Sequence, residues 1–495
     1  MMKRACARTI GCFILGMAMA CATATAQISP EPTYPAADVR ADMDTLYRRL
    51  QADAFDLYAF TPKADMDRLH RQLRTDITTP LTRAQAEARL ELLAAAAHQG
   101  HTRVEGVYAT WAAYQKAGGL AFPLAVRIKE GRIYIARNLS DRAQLAPGDQ
   151  ILAIDGVPVT TWLTRLRRHI SAETPALADS ILEYDFPLYL WVATGARPAF
   201  KVIVKPAGAS VPDTVTLTAR TKVDMASTSQ SRPPALDLAQ PLRDARVLAN
   251  GVGYLRPGPF YNEAAKTGAD EWDVASFRTF IDGAFRSFKA QGVTRLIIDL
   301  RGNPGGDSLF SDVMVSWFAT RPYQFFSSFR IRVSADAVAA NRNRIARDAV
   351  AAGAISQRFA DLYATATPGD VIALTLPDSQ PNREERFTGK VYALVNRQTY
   401  SNAVAVAATI QDYGFGRILG EPTTDMATAF GAMERFTLPA TGITVGFPKA
   451  HIIRPNGDTR ARGVTPDIAI PFPIVETPDD PVLQHAIRIA AADAP

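Results

Sequence analysis

Val391-Tyr392-Ala393-Leu394-Val395-Asn396-Arg397-Gln398-Thr399-Tyr400-Ser401-Asn402-Ala403-Val404-Ala405-Val406-Ala407-Ala408-Thr409-Ile410-Gln411-Asp412 is the stretch whose reading decides the fold. Its first five residues are apolar without interruption, the mark of a strand buried on both faces. A turn is expected at Asn396-Arg397-Gln398. From Ser401 onward Ala and Val recur with helical spacing. The unit is therefore strand–turn–helix, with Ser401 at its mouth. That position suits a nucleophile, because the hydroxyl stands at the first helical turn beside backbone N–H groups that the helix leaves free. It equally suits a helix cap, for which Ser is a favoured residue, and the local sequence by itself leans to the cap. The rest of the chain reverses that balance.

The chain has 495 residues, with 47% hydrophobic and 21% charged, which is ordinary for a globular protein of two or three domains. Its start has the form of a secretory signal over residues 1–26. Lys3, Arg4 and Arg8 precede an apolar run, Cys12 to Ala22, that is too short to span a bilayer. Ala24-Thr25-Ala26 supplies small residues for cleavage before Gln27. Lipid attachment at Cys21 fits less well, since Ala18-Met19-Ala20 is a poor approach to a lipidated cysteine. All three cysteines (Cys6, Cys12, Cys21) fall inside this segment, so the mature chain is expected to have no disulfide, no thiol nucleophile and no thiolate metal site. Removing the leader lowers the formal charge from +6 by three basic residues, too mild a surplus to indicate a nucleic-acid partner. No later segment is apolar enough to cross a membrane. The expected location is the bacterial periplasm or the exterior.

Residues 36–104 suggest a helical layer. Met43, Leu46, Tyr47 and Leu50 follow helical spacing, and Thr82 is placed to cap a long helix running through Ala97. That helix leads into His98-Gln99-Gly100-His101-Thr102-Arg103. Two histidines three apart suggest a metal pair, but no third ligand follows with metal spacing. The bland reading of His101 is a helix C-terminal cation.

Residues 118–221 suggest a β-rich module. Ala125 to Ile128 and Ile133 to Ala136 flank a Glu130-Gly131 turn. Then Leu145-Ala146-Pro147-Gly148-Asp149 feeds an apolar strand, Gln150 to Ile154, that ends in an Asp155-Gly156 turn. This order resembles a PDZ domain, and the resemblance implies capture of an extended peptide by strand addition. A helix from Trp162 to Ile170 and strands from Ala199 to Val204 and Thr214 to Ala219 are expected to follow. Residues 222–242, rich in Ser, Thr, Gln and Pro from Met225 to Leu242, suggest a linker.

Residues 243–495 form the expected mixed α/β domain. An amphipathic helix over Phe277 to Ala290 precedes a buried strand, Thr294 to Leu300. That strand delivers Arg301-Gly302-Asn303-Pro304-Gly305-Gly306. Such a loop is either a tight turn using glycine's positive φ or a cradle of backbone N–H groups for an oxyanion or phosphate. The Lys-Ser/Thr of a nucleotide loop is missing. Ala335 to Ala366 has the composition of a helical insertion placed to cover a site.

Leu296-Ile297-Ile298-Asp299-Leu300-Arg301-Gly302-Asn303-Pro304-Gly305-Gly306, Gly420-Glu421-Pro422-Thr423 and Gly463-Val464-Thr465-Pro466-Asp467-Ile468 together resemble the C-terminal processing (tail-specific) serine peptidases. The likeness covers nearly the whole mature chain. It implies a multidomain α+β protein made of an N-terminal helical cap, a PDZ-like module and a crotonase-like catalytic core. It also implies peptide-bond hydrolysis with no metal or organic cofactor, and polypeptides as the partners. Ser401 matches the nucleophile, and the N–H of Asn402 with that of Gly305 or Gly306 matches the oxyanion hole. Many members use a lysine after Gly-Glu-x-Thr; here Thr424-Asp425-Met426-Ala427 follows, and no lysine lies between Lys390 and Lys449. A histidine-dependent branch takes its base from Gly-His-Thr, which His101 matches, and a neutral imidazole accepts a proton near pH 7. That branch carries an orienting glutamate before Gly-Val-x-Pro-Asp. The nearest carboxylate here is Asp458, with Glu421 and Glu434 as alternatives. Val404 stands where many members carry glutamate. Two competing readings are a peptide-binding protein of the same fold without turnover, and, more distantly, an acyl-CoA enzyme of crotonase type. The leader and the peptide-binding module argue against the latter.

Overall fold

The apolar run at Val391 becomes the middle of a six-stranded sheet. Its order is Asp244–Val247, Gly253–Arg256, Arg295–Asp299, Lys390–Val395, Arg417–Gly420, Ile468–Ala469. Only the first pair is antiparallel; every later pair is parallel. Parallel strands need crossovers; helices supply them on one face, and the last helix of the chain covers the other. Leu296, Ile298, Val391, Ala393 and Val395 point to one face, against Ala275–Ala290, Ser308–Val315 and Asn402–Tyr413. Ile297, Tyr392 and Leu394 point to the other, against the helix Pro481–Ala492. This two-sided cover is why the strands carry no polar alternation. The coordinates are a computed structural model that describes residues 32–492 apart from 235, 237, 239–242, 267–269 and 348. The proposed leader, its three cysteines, the expected cleavage point at Gln27 and the alternative lipid site at Cys21 lie outside the described residues.

A second sheet lies in the same half. It contains Val371–Ala373, Ser328–Arg332, Thr444–Ile453 and Ala429–Thr437. The long hairpin turns at Pro439-Ala440-Thr441-Gly442, where Gly442 takes φ 67°. The expected insertion is a pair of helices, Ala335–Arg347 and Ala349–Ala364. It packs on this sheet through a small core of Ile331, Val333, Ala337, Phe359, Tyr363 and Leu374.

Four helices precede the β-rich segment: Ala36–Asp53, Lys63–Thr75, Arg83–Ala95 and Gly106–Lys116. Thr82 caps the third through a reciprocal bond with Gln85, as its position predicts. The helix stops two residues short of Ala97, and His98, at φ 52°, takes the left-handed position expected of a terminator. The short strand Arg103–Val104 follows at once and pairs with Val445 and Gly446 of the second sheet.

The third sheet is antiparallel, in the order Leu124–Lys129, Arg132–Asn138, Gln150–Ile154, Ala199–Lys205, Asp213–Thr218. Asp155 and Gly156, at φ 50° and 76°, form the expected tight turn. Two features differ from the sequence expectation. A kinked helix, Pro175–Thr194, lies between strands of this sheet, opened by a Thr174 cap and Pro175, with Asp185 non-helical and Pro187 inside it. The segment assigned as linker, 222–242, begins with a helix, Lys222–Ser231, opened by a Thr221–Asp224 capping box. Its Ser and Thr residues are cap and helix-surface residues, which composition alone does not distinguish from a linker. Among the described residues no helix is long and apolar enough to cross a membrane.

Candidate active site

Ser401 sits directly before the helix Asn402–Tyr413 in the N-cap position, yet its side chain makes no cap hydrogen bond. Its backbone is at φ 53°, ψ −125°, a region that costs a non-glycine residue on the order of 1–3 kcal/mol. A capping serine is extended and spends its hydroxyl on N2 or N3. Ser401 does neither. The surrounding chain over-determines this strained turn. Asn396 Oδ1 accepts from the N–H of Gly302 at 3.0 Å and of Gln398 at 3.1 Å. Thr399 Oγ1 donates to Leu300 O at 2.9 Å, and Tyr400 N–H to Asn303 O at 2.9 Å.

The same contacts bring the Asn303-Pro304-Gly305-Gly306 loop against the serine. A Cβ on Gly305 would lie 2.6 Å from Tyr400 O, 2.7 Å from Asn402 N and 2.8 Å from Ser401 Cβ, so only glycine allows the approach. Gly305 N–H is spent on Asn303 Oδ1 at 2.9 Å, which leaves Gly306 as the glycine donor of this loop. Behind it, buried Arg301 pairs with Asp299 and Asp480 through four bonds of 2.6 to 2.9 Å. These anchor the strand end from which the loop departs.

His101 reaches this region from the other end of the chain. Its ring lies 6.1 Å, centroid to centroid, from Tyr400, the neighbour of Ser401. The Phe430 carbonyl accepts a hydrogen bond from the ring. Nδ1 is buried and has no hydrogen-bond partner, so it makes no bond to Ser401. Burial, with the Arg103 cation adding to it, pushes the imidazole down to about 4, so the ring is neutral at pH 7.

The acid assignment needs correction. Asp458 does not orient His101. Its carboxylate lies in a surface loop, taken up by Arg460 at 2.8 and 2.9 Å and by Arg462 at 2.8 Å. Those bonds hold it well below the usual carboxylate range. The alternatives are committed as well: Glu421 to Arg397 at 2.9 and 3.0 Å, and Glu434 to Lys449 at 2.5 Å and Arg344 at 2.8 Å. Each sits beside a basic residue that neutralises it, a preference that motif position does not reveal.

A free, strained serine at a helix mouth, a glycine loop against it and a neutral histidine nearby describe acyl-transfer machinery. Residues 252–470 match the family model for peptidase family S41. This part of the chain is a peptidase family S41 domain. That domain makes the protein a serine-type peptidase, a hydrolase. Its fold matches that of mature CPAF complexed with lactacystin, with TM-score 0.63 and 15% identity over 92% of this chain and 98% of the other. Mature CPAF gives 0.61 and 16% over 92% and 97%. The photosystem II D1 C-terminal processing protease aligns over 92% and 98% at 16% identity, with TM-score 0.43. At these identities the likeness is one of fold.

The S41 peptidase also holds two carboxylates beside the site that sequence reasoning passed over. Asp425 Oδ2 accepts the Ser401 N–H at 2.5 Å. Glu173 Oε1 accepts the Gly100 N–H at 3.0 Å, while its Oε2 is buried without a partner. Burial pushes Asp425 up to about 6; burial, then the nearby Asp425 charge, pushes Glu173 up to about 7. Asp425 stands in the very segment where the expected lysine is missing, which was a usable signal. Glu173 precedes a helix start in the third sheet's segment, and nothing local marks it.

Proposed function

We propose that this S41 peptidase is an exported endopeptidase in which Ser401 is the nucleophile and His101 the general base. The observation that carries the proposal is the state of Ser401: an uncapped hydroxyl in a strained backbone conformation, packed on a glycine loop and next in sequence to Tyr400, whose ring lies 6.1 Å from the neutral imidazole of His101. Ser401 Oγ attacks the scissile carbonyl carbon while Nδ1 of His101 takes its proton. The resulting oxyanion is held by the N–H groups of Asn402 and Gly306. His101 then protonates the leaving amine as the C–N bond breaks, and water hydrolyses the acyl-enzyme by the same exchange in reverse. The Phe430 carbonyl, instead of a carboxylate, fixes the ring and its tautomer. Losing one oxyanion donor typically costs on the order of 100–1000-fold in rate.

In this reading the first helices are a cap, the parallel sheet with its helices is a crotonase-like core, and the antiparallel sheet is a PDZ-like module that engages extended polypeptide. Strand addition at the Leu124–Lys129 edge has to displace existing partners, since Ile128 N–H donates to Glu183 at 2.7 Å and Ile128 O accepts from Arg397 at 2.9 Å. The test is hydrolysis of unstructured peptides by purified Ser401→Ala and His101→Ala, with fluorophosphonate labelling alongside. Both variants are expected to lose turnover, and Ser401→Ala to lose the label. Retained hydrolysis in either sinks the assignment. Peptide binding by a native protein that neither labels nor hydrolyses would favour the scaffold reading.

A further inference from the structure

We propose that Glu173 and Asp425 are positioning residues that hold the two reacting side chains in register, Glu173 by fixing the Gly100 peptide ahead of His101 and Asp425 by fixing the Ser401 peptide. The inference rests on the assignment of Ser401 and His101 above. The loop Gln99 to Thr102 has its own N–H to O bond, Thr102 to Gln99 at 2.8 Å; the Gln99 side chain donates to Asp56 O, and the segment before the kinked helix holds the loop's backbone. Ser171 Oγ accepts from Gln99 N–H at 3.0 Å and donates to Gln99 O at 2.7 Å. Glu173, two residues on, holds Gly100. A Cβ at Gly100 would sit 3.3 Å from Glu173 Oε2 and 3.7 Å from the Tyr400 hydroxyl. Glu173 and Tyr400 therefore close on the same Cα from two different parts of the chain.

Tyr400 joins the two carboxylates. It is buried, its ring faces His101, and its hydroxyl is raised first by burial and then by the charges of Asp425 and Glu173, with Arg103 opposing and Tyr108 adding. Asp425 accepts the N–H of Ser401 and of Met426, so it grips the residue whose backbone is strained. Burial and then the Asp425 charge raise Glu173, and each carboxylate uses an oxygen to accept a backbone N–H of the site. The other groups facing the cluster are Arg103, Tyr108 and, one shell out, Glu91, whose carboxylate accepts Val104 N–H at 2.6 Å and is pushed by burial up to about 8.

The experiment compares Glu173→Gln with Glu173→Leu and Asp425→Asn with Asp425→Ala, reading kcat, KM and the rate of fluorophosphonate labelling, with Ser401→Ala as reference. The amide variants keep an oxygen for the backbone N–H; the apolar ones do not. Misplacing a reacting group by about 1 Å costs on the order of 100-fold, so Leu and Ala variants are expected to lose about that factor in kcat and labelling rate with KM little changed. The amide variants are expected to recover most of it. Folded Leu and Ala variants that label and turn over like the native protein overturn the inference and leave the serine assignment standing. Should an apolar variant not fold, a folded amide variant as impaired as a charge-neutral substitution cannot explain overturns it too. Hydrolysis surviving in Ser401→Ala would remove both.

Discussion

At the scale of single residues, the site is a set of atoms kept from their usual partners. Ser401 forgoes a cap bond, Gly305 is admitted where a methyl is not, and His101 Nδ1 waits unpaired. Gly305→Ala is expected to cut kcat on the order of 100-fold, because the new Cβ meets Tyr400 O, Asn402 N and the Ser401 side chain. Gly118→Ala is the control: φ is +84° against +86° at Gly305, but nothing lies within 4 Å, so only backbone strain of roughly 1–2 kcal/mol follows. Equal losses of activity in the two variants would show that strain, not contact, matters. The pH dependence of kcat/KM tests His101. A pKa lowered to about 4 keeps the base neutral through the range where an ordinary histidine charges. A limb assigned to His101, by its absence from a His101 variant or by NMR of the ring, is expected near 4 and not near 6.5. The linked stability has a definite sign: a depressed histidine pKa favours the fold above 6.5, and this is lost as pH falls through about 4. Asp425 and Glu173 have raised values, so theirs is present at acid pH and lost as pH rises through about 6 to 7. Ser401, His101 and the glycines of the proposed site each sit in a local sequence pattern, so sequence could put them forward as candidates. Asp458 was misread because which carboxylate meets a histidine depends on the path of a loop, and Arg460 and Arg462 lie within reach of it.

At the scale of elements, the strand Arg295–Asp299 does two jobs: it fills the sheet centre and aims the glycine loop. The apolar run announces the first, and Arg301 secures the second. Its guanidinium is almost wholly buried between Asp299 and Asp480, with Tyr254 OH donating to Asp299 at 2.9 Å. Such a network is weak evidence of net stabilisation, but deleting one partner strands the others. Arg301→Ala is expected to lower stability by about 3–5 kcal/mol, measured by urea unfolding, and Arg301→Lys to fall short of native because an ammonium cannot reproduce two bidentate forks. A neutral Arg301→Ala would mean water readily satisfies both aspartates. The helix Pro175–Thr194 escaped the sequence reading although Thr174-Pro175 is a start signal. Its interior Pro187 and non-helical Asp185 interrupt the helical pattern. The cost was real, since the residue before that start signal is Glu173.

At the scale of the whole molecule, one apolar core crosses every boundary that sequence suggested. Val39, Leu46 and Leu90 of the first helices, Phe122, Ile133 and Phe186 of the middle segment, and Phe436, Val445 and Phe447 of the late hairpin belong to a single buried cluster. Polar bonds run the same way. Asp42 accepts from Ala440 and Thr441 N–H at 3.1 and 2.7 Å, and Phe55 N–H donates to Pro448 O at 2.9 Å. No pattern within a segment betrays such sharing, because periodicity shows which face is buried and not what covers it. The layer that delivers His101 is thus held by the half that carries Ser401, and opening one exposes apolar surface of the other. Chains of several domains usually unfold in separable steps. Here a single step is expected for the described body, since a cluster shared by three segments cannot be lost piecemeal without exposing the rest. Trp111, Trp162 and Trp191 report on the first half and Trp272 and Trp317 on the second. Single-tryptophan versions of the protein should give coincident denaturant midpoints, and fluorophosphonate labelling should disappear at that midpoint. Leu46→Ala, a truncation of a fully buried side chain far in sequence from Ser401, should cost about 2–5 kcal/mol and move every probe together. A first-half transition that precedes loss of the label would show that the helical layer can open while the serine stays competent.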